Sequence, residues 1–215
     1  MNKKKVALWD WNGTLLDDVD ICLEGINILL KKRTLPLLTK QRYKQIFTFP
    51  VEDYYQLAGF DYSKEPFETP AEEFIVHYKQ MLSAANLFDD AFNALTRNKN
   101  LGLSQFILSA MEQNLLVASV QKRGIAQFFK SVCGISDNFA RSKTENAKKL
   151  ISINGINPSE AILIGDTIHD AEVATEIGVD VVLVSRGHQS EERLRATGTT
   201  VISNFKELED ILACH

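Results

Sequence analysis

The sequence predicts a doubly wound, Rossmann-like α/β fold: a parallel sheet core carrying an inserted all-α cap domain. Three observations carry that expectation. Short apolar runs alternate with helical patterns over most of the chain. The first of these runs stops at a polar loop containing glycine. One long aromatic stretch then breaks the rhythm without offering a convincing strand. Strands that alternate with helices build a parallel sheet covered on both faces. Ligands of such sheets bind beyond the carboxyl ends of the strands.

Taken in order, Val6-Ala-Leu-Trp9 is an apolar run ending at Asp10-Trp-Asn-Gly-Thr14, which reads as a buried strand feeding a site. Similar runs follow at Leu103 to Ser109, Lys130 to Ile135, Ala161 to Gly165 and Asp180 to Val184. Helical patterns lie between them, at Glu145 to Ile153 and Asp170 to Ile177, the second with Gly178 as its stop signal. The stretch from Asp17 to about Phe88 holds helical patterns at Ile21 to Lys32 and Ala71 to Ala84. It is dense in aromatics: Tyr43, Phe47, Phe49, Tyr54, Tyr55, Phe60, Tyr62, Phe67, Phe74 and Tyr78. Its position directly after the first strand's loop points to a cap over the site rather than an extension of the core. The expected division is a core of residues 1–16 and 89–215 with a cap of residues 17–88.

The 215 residues, 45% hydrophobic and 24% charged, suit one compact domain carrying a small insertion. A net charge of −4 gives no support to nucleic-acid binding. The basic run Lys3, Lys4, Lys5 precedes only four apolar residues before Asp10, too few for a secretory signal or a membrane span. The expectation is a cytoplasmic protein without membrane association; its oligomeric state is not legible. Cys22, Cys133 and Cys214 are far apart with no CxxC pair, which argues against a disulfide framework or a zinc site.

Three acids fall at predicted strand ends: Asp10, Asp166 and Asp170. Each alone reads as a helix N-cap. Together they read as one oxygen-rich site, because parallel strands bring their carboxyl ends to one edge. Clustered carboxylates repel one another, and a hard divalent cation such as Mg²⁺ relieves that repulsion while bridging to a substrate phosphate. Phosphoryl transfer needs a nucleophile, charge neutralisation and positioning. Asp10 can serve as nucleophile through an aspartyl-phosphate. Lys143, in the polar loop Ala140-Arg-Ser-Lys-Thr144, can pair with Asp10 and with the moving phosphoryl group. Ser109 ends a strand, and its hydroxyl together with the N–H of Ala110 can hold a phosphate oxygen.

The order Asp-x-x-Gly-Thr, apolar-Ser, Lys, then Gly165-Asp-Thr-Ile-His-Asp170 resembles the four motifs of the haloacid dehalogenase-like (HAD) superfamily, and most its phosphoglycolate phosphatase-like branch, which carries a helical cap after the first motif. The resemblance covers nearly the whole chain. It implies a phosphatase acting on a small phosphorylated substrate, with Asp10 as nucleophile and Ser109 as phosphate binder. It implies Lys143 as the charge-neutralising base and Mg²⁺ held by Asp10, Asp166, Asp170 and the backbone carbonyl of Asn12. Gly13 and Thr14 would shape the loop and, with Ser109 and Ala110, cradle the phosphate.

One position departs from the pattern. The family's first motif is Asp-x-Asp-Gly-Thr, and here the second acid is Asn12. In the family that acid protonates the leaving group and then activates water. An amide does neither at neutral pH, and such help is worth about 10²–10⁴-fold. Three readings stay open. The protein is a slow phosphatase, or one restricted to good leaving groups such as acyl or aryl phosphates. His77, His169 or His188 supplies the proton transfer instead. Or hydrolysis is lost and the fold binds a phosphorylated ligand or partner. A receiver domain lacks the cap, and a dinucleotide-binding oxidoreductase would need a G-x-G-x-x-G that is absent. Within the cap, Arg42, Lys44, Lys64, His77 and Lys79 are candidate contacts for an anionic substrate, each with a solvated-helix reading beside it; the aromatics read mainly as the cap's own core.

Overall fold

The computed structural model describes residues 3–136 and 143–213. Strand β1 (Val6–Trp9) is apolar at every position because both of its faces are covered. Val6 and Leu8 join one hydrophobic cluster and Ala7 and Trp9 the other, as the period-two geometry of a strand requires.

From β1 the chain passes through β2 (Leu16–Asp17) into α1 (Val19–Lys32), α2 (Lys40–Ile46), α3 (Val51–Ala58) and α4 (Glu68–Met81), returning through β3 (Asn86–Leu87). The core then runs α5 (Ala91–Asn100), β4 (Ser104–Glu112), α6 (Gln113–Lys122), β5 (Ser131–Ile135), α7 (Lys143–Ile153), β6 (Ala161–Gly165), α8 (Ile168–Ile177), β7 (Asp180–Val184), α9 (Glu191–Arg195), β8 (Thr200–Ile202) and α10 (Phe205–Ala213). The main sheet has six parallel strands in the order β5-β4-β1-β6-β7-β8. Residues of α5, α6 and α10 pack on the Ala7–Trp9 face, and residues of α7 and α8 on the Val6–Leu8 face. That is the doubly wound arrangement. Its ligand-binding crevice lies where the connections leave β1 in opposite directions.

Helices α1 to α4 build a core of their own from Ile26, Leu29, Leu30, Tyr43, Tyr54, Tyr55, Phe67 and their neighbours. They form the all-α insertion, joined to the sheet through the antiparallel pair β2–β3. This pair, at the edges of a stretch read as strand-free, is a small sheet separate from the main one. Two residues per strand leave no periodicity for a sequence reading to detect. Also unanticipated are β8, only three residues long, and α10 behind it.

The helix ends follow their sequence signals where those were strong. Gly178 ends α8 in the left-handed conformation at φ 72°. The pattern read as one helix to Ala84 finishes as α4 plus a 3₁₀ turn over Leu82–Ala84. Strand β4 continues three residues past Ser109, with a register shift between Leu108 and Glu112. Cys22 and Cys133 are free and half-buried; Cys214 lies outside the described residues. Among the described residues, no helix is long and apolar enough to cross a membrane.

Candidate active site

The parallel register sets the site. Trp9 pairs with Ile107 on one side and Ile164 on the other, so Asp10, Ser109 and Asp166 all emerge at the same edge. Asp10 N–H donates to the Ile164 carbonyl at 2.8 Å, fixing its backbone at the strand end. Carboxylate oxygens of Asp10, Asp166 and Asp170 lie within 4.8 Å of one another, all buried. The irregular end of β4 turns Ser109 and Ala110 toward the same space, as bulges do. Ser109 Oγ also accepts the Met111 N–H at 3.1 Å.

Lys143 is the first residue of α7 rather than part of a loop; Ala140, Arg141 and Ser142 of the predicted polar loop lie outside the described residues. Its buried ammonium donates to Asp10 Oδ1 and, at 2.6 Å, to Asp170 Oδ1. Burial alone would lower its pKa, but the charges of Asp10 and Asp170 outweigh that and raise it. Asp10 is pushed well above the usual carboxylate range, first by burial and then by Asp170 and Asp166, against the pull of Lys143. Asp166 is pushed up to about 6, again chiefly by burial. Asp170 is also desolvated, yet Lys143 and Thr167 hold it below its ordinary value. Its Oδ2 accepts from the backbone N–H groups of Asp166 and Thr167 at 3.1 and 3.0 Å. The N-cap of α8 is Thr167, and Asp170 serves the helix start from the third helical position while its other carboxylate oxygen faces Lys143.

Asn12 borders the same cavity as Asp10, and its side chain is committed. Its Nδ2 donates to Asp18 Oδ2 at 2.6 Å and to Tyr78 Oη at 2.7 Å. Tyr78 Oη donates to the same Asp18 oxygen at 2.8 Å, and Gly13 N–H to Asp18 Oδ1 at 2.9 Å. His188 Nε2 stands 3.3 Å from Asp18 Oδ1, while its Nδ1 lies 2.8 Å from Tyr43 Oη of the cap. Burial favours neutral Asp18, but His188, Asn12 and Tyr78 together hold its pKa below normal. The His188 pKa is raised, because Asp18 and then Asp166 and Asp10 outweigh its desolvation. An amide at position 12 suits this pocket, since it can donate to the Asp18 carboxylate.

These charges test whether a cation fits. Asp10, Asp166 and Asp170 bring three buried carboxyl groups together beside one lysine, Lys143. Carboxylates are the donors that a hard cation prefers. The cluster could thus hold a metal ion, while the Asp18–His188 pair is satisfied internally.

Two expected phosphate contacts act on the loop instead. Gly13 N–H is taken by Asp18, and the Thr14 hydroxyl donates to Asp166 Oδ1 at 3.1 Å; neither borders the cavity. Gly13 has φ +67°, and a Cβ there would come within 2.3 Å of Asp166 Oδ2. Gly187, which the sequence reading passed over, is as tightly held: a Cβ would meet Asp166 Oδ2 at 2.1 Å. The following His188 N–H donates to that oxygen at 2.6 Å. Asp18, Tyr78 and Gly187 were all missed. The available signal was Arg186-Gly-His188 directly after the end of β7, at the edge where ligands bind.

The cavity over Asp10 reaches far into the cap, between Phe47, Phe49, Tyr54, Phe74 and Tyr78. None of Arg42, Lys44, Lys64, His77 and Lys79 borders it. Lys44 binds the Arg186 carbonyl at 2.9 Å and Lys64 pairs with Asp61 at 3.2 Å. The cap is bonded to the loop after β7 and to α9: Gln189 Nε2 and Arg193 Nη1 donate to the Phe47 carbonyl at 2.9 and 2.6 Å.

Known proteins carry the same pattern. The family model of haloacid dehalogenase-like hydrolases matches residues 7–184. A phosphoglycolate phosphatase of Caulobacter vibrioides is 24% identical, over 93% of this chain and 87% of its own. The tyrosine-protein kinase PtkA of Mycobacterium tuberculosis is 22% identical, over 96% of this chain and 71% of its own. A haloacid dehalogenase-like hydrolase structure from Streptococcus pneumoniae superposes with a TM-score of 0.86 at 18% identity, over 98% of this chain and 99% of that one. With four-fifths of its length matched by one family model, the chain belongs to the haloacid dehalogenase-like hydrolase family, among its phosphatase-type enzymes.

Proposed function

We propose that the protein is a Mg²⁺-dependent phosphatase that takes the phosphoryl group of a small phosphorylated metabolite onto Asp10 and releases it to water. The observation that supports this reading best is the convergence of Asp10, Asp166 and Asp170 around Lys143 at one sheet edge. In the proposed roles, a carboxylate oxygen of Asp10 attacks phosphorus. The Ser109 hydroxyl and the Ala110 N–H hold a phosphoryl oxygen. Lys143 pulls Asp10 toward its ionised form and faces the developing charge. Asp10, Asp166, Asp170 and the Asn12 carbonyl would hold Mg²⁺, which would supply charge neutralisation at the phosphoryl oxygens. Thr14, Gly13 and Gly187 keep Asp166 in place.

Asn12 sets the limits of this chemistry. It cannot protonate a leaving group or activate water, so the first step suits leaving groups that depart as stable anions, and the second step is slow. We take the cap as residues 17–88, hinged at the β2–β3 pair and opened by release of its contacts with the segment from Arg186 into α9. A cytoplasmic setting and independence of nucleic acid and membranes complete the proposal.

The test is to mix the protein with acetyl phosphate and Mg²⁺, quench in acid and map the phosphorylated peptide by mass. Phosphate on Asp10 that needs Mg²⁺ and vanishes in Asp10→Asn is the expected result. A second reading is favoured by the engaged amide of Asn12: a hydrolysis-deficient protein that binds a phosphorylated ligand or partner. It predicts saturable Mg²⁺-dependent ligand binding with no phosphoenzyme.

A further inference from the structure

The cavity above Asp10 has two chemically distinct halves. Its charged groups are Asp10, Lys143, Asp166, Asp170 and His188 at the sheet edge, with Glu112 beside them. The cap contributes no charge to it among the described residues. A substrate's phosphoryl group belongs with the charged half. Whatever hangs from the phosphoryl oxygen must then enter the cap half.

That half is built of rings. Phe47 and Phe49 meet edge to face with centroids 5.6 Å apart, Phe47 and Tyr54 lie 5.1 Å apart, and Phe74 stacks on Tyr78 at 5.8 Å. Such walls accept a flat ring in offset or edge-on contact. They offer no cation to a second carboxylate or phosphate, and Glu112 opposes one. Sugars would find few hydrogen bonds, because the Tyr78 hydroxyl and the Asn12 amide are already bound to Asp18. One polar group stands apart: Tyr54 lines this cavity, and its buried Oη has no hydrogen-bond partner. A buried hydroxyl without a partner is costly to leave so, and a ligand atom would satisfy it.

Resting on the phosphatase reading above, we infer that the substrate is a small aryl phosphate: a phosphomonoester of a phenol, its ring held by Phe47, Phe49 and Phe74 and a polar ring substituent bound by Tyr54 Oη. The leaving group agrees with Asn12. A phenol has a pKa near 10, far below that of an aliphatic alcohol, so phenolate departs with little need of a proton donor. In the reaction, Asp10 forms a bond to phosphorus as the bond from phosphorus to the ring oxygen breaks. The phenolate carries off that electron pair and takes a proton from water. A second water then cleaves the aspartyl-phosphate, giving inorganic phosphate and restoring the carboxylate.

The experiment is steady-state kinetics of the full chain with Mg²⁺ on acetyl phosphate, phenyl phosphate, hydroxyphenyl phosphates, glucose 6-phosphate and 2-phosphoglycolate. Phenyl phosphate should exceed the sugar and carboxylate esters in kcat/KM by roughly tenfold or more. Phe49→Leu should raise KM for phenyl phosphate by about tenfold, and Tyr54→Phe should abolish any preference for hydroxyphenyl over phenyl phosphate. Ile75→Arg, which brings a cation into the apolar half, should shift preference toward 2-phosphoglycolate; it keeps the test independent should Phe49→Leu fail to fold. Turnover of acetyl phosphate together with a preference for the sugar or carboxylate ester over phenyl phosphate would overturn the aryl assignment alone. No phosphoryl transfer from acetyl phosphate would overturn the phosphatase reading and this inference with it.

Discussion

The two sides of the cavity are stabilised in opposite ways. On the core side, buried charges hold one another: Lys143 lies between Asp10 and Asp170, and His188 faces Asp18. On the cap side, rings pack on rings and the wall is neutral. A buried ion network tolerates little change, because removing one partner leaves another uncompensated. An aromatic wall can exchange one ring for another of similar volume at modest loss. The difference teaches where each property resides. On the proposal above, phosphoryl transfer would belong to the strand ends, where Asn12 limits the basicity of the leaving group, and the fit of that group's ring would belong to the cap.

The comparison breaks first at Asp10. Asp10→Asn should lower turnover on the order of 10⁴–10⁶-fold, the loss expected when a nucleophile is removed, while thermal unfolding stays cooperative. A surviving rate within tenfold of wild type would place the chemistry elsewhere. Asn12→Asp comes next. The new carboxyl would sit where Nδ2 now contacts Asp18, so the pair would share a proton and keep the acid form available. The expected gain is about 10²–10⁴-fold for alkyl phosphates and little for acetyl phosphate. Because Asn12 precedes Gly13, intact mass should first exclude deamidated chains that already carry the acid.

Gly187→Ala sharpens the comparison on the core side alone. The added Cβ must displace Asp166, so the Mg²⁺ concentration for half-maximal activity should rise about 10–100-fold. An unchanged Mg²⁺ titration would remove Asp166 from the metal site. The smallest effect is expected at the closure between the two sides. Arg193→Ala removes donors to the Lys44 and Phe47 carbonyls. Hydrogen exchange should quicken in residues 40–49, and KM should rise by less than about tenfold.

Much of this was legible because the core obeys simple periodicities. The five longer strands were marked by apolar runs, and Asp10, Ser109 and Asp166 by where those runs stop. The pairing of Lys143 with Asp10 was legible, but its place on α7 was not, since one polar residue before a helix carries no sign of being inside or outside it. The partners of Asn12 were hidden for a different reason. Asp18 and Tyr78 are 60 residues apart, and only the folding of α4 back on α1 brings the hydroxyl to the carboxylate. Gly187 was invisible because its constraint comes from the Asp166 side chain, on the neighbouring strand's loop. The cap aromatics were visible as a class, yet whether a ring fills a core or walls a cavity depends on packing that composition does not encode.

The most direct measurement is the leaving-group dependence of kcat/KM over a series of ring-substituted phenyl phosphates, made on wild type and on Asn12→Asp. Reaction at Asp10 without a proton donor predicts a steep fall in wild type as the phenol pKa rises, and a clearly flatter line in the variant. Equal, shallow slopes in both proteins would mean that a proton donor other than residue 12 already serves the site, and would contradict the account.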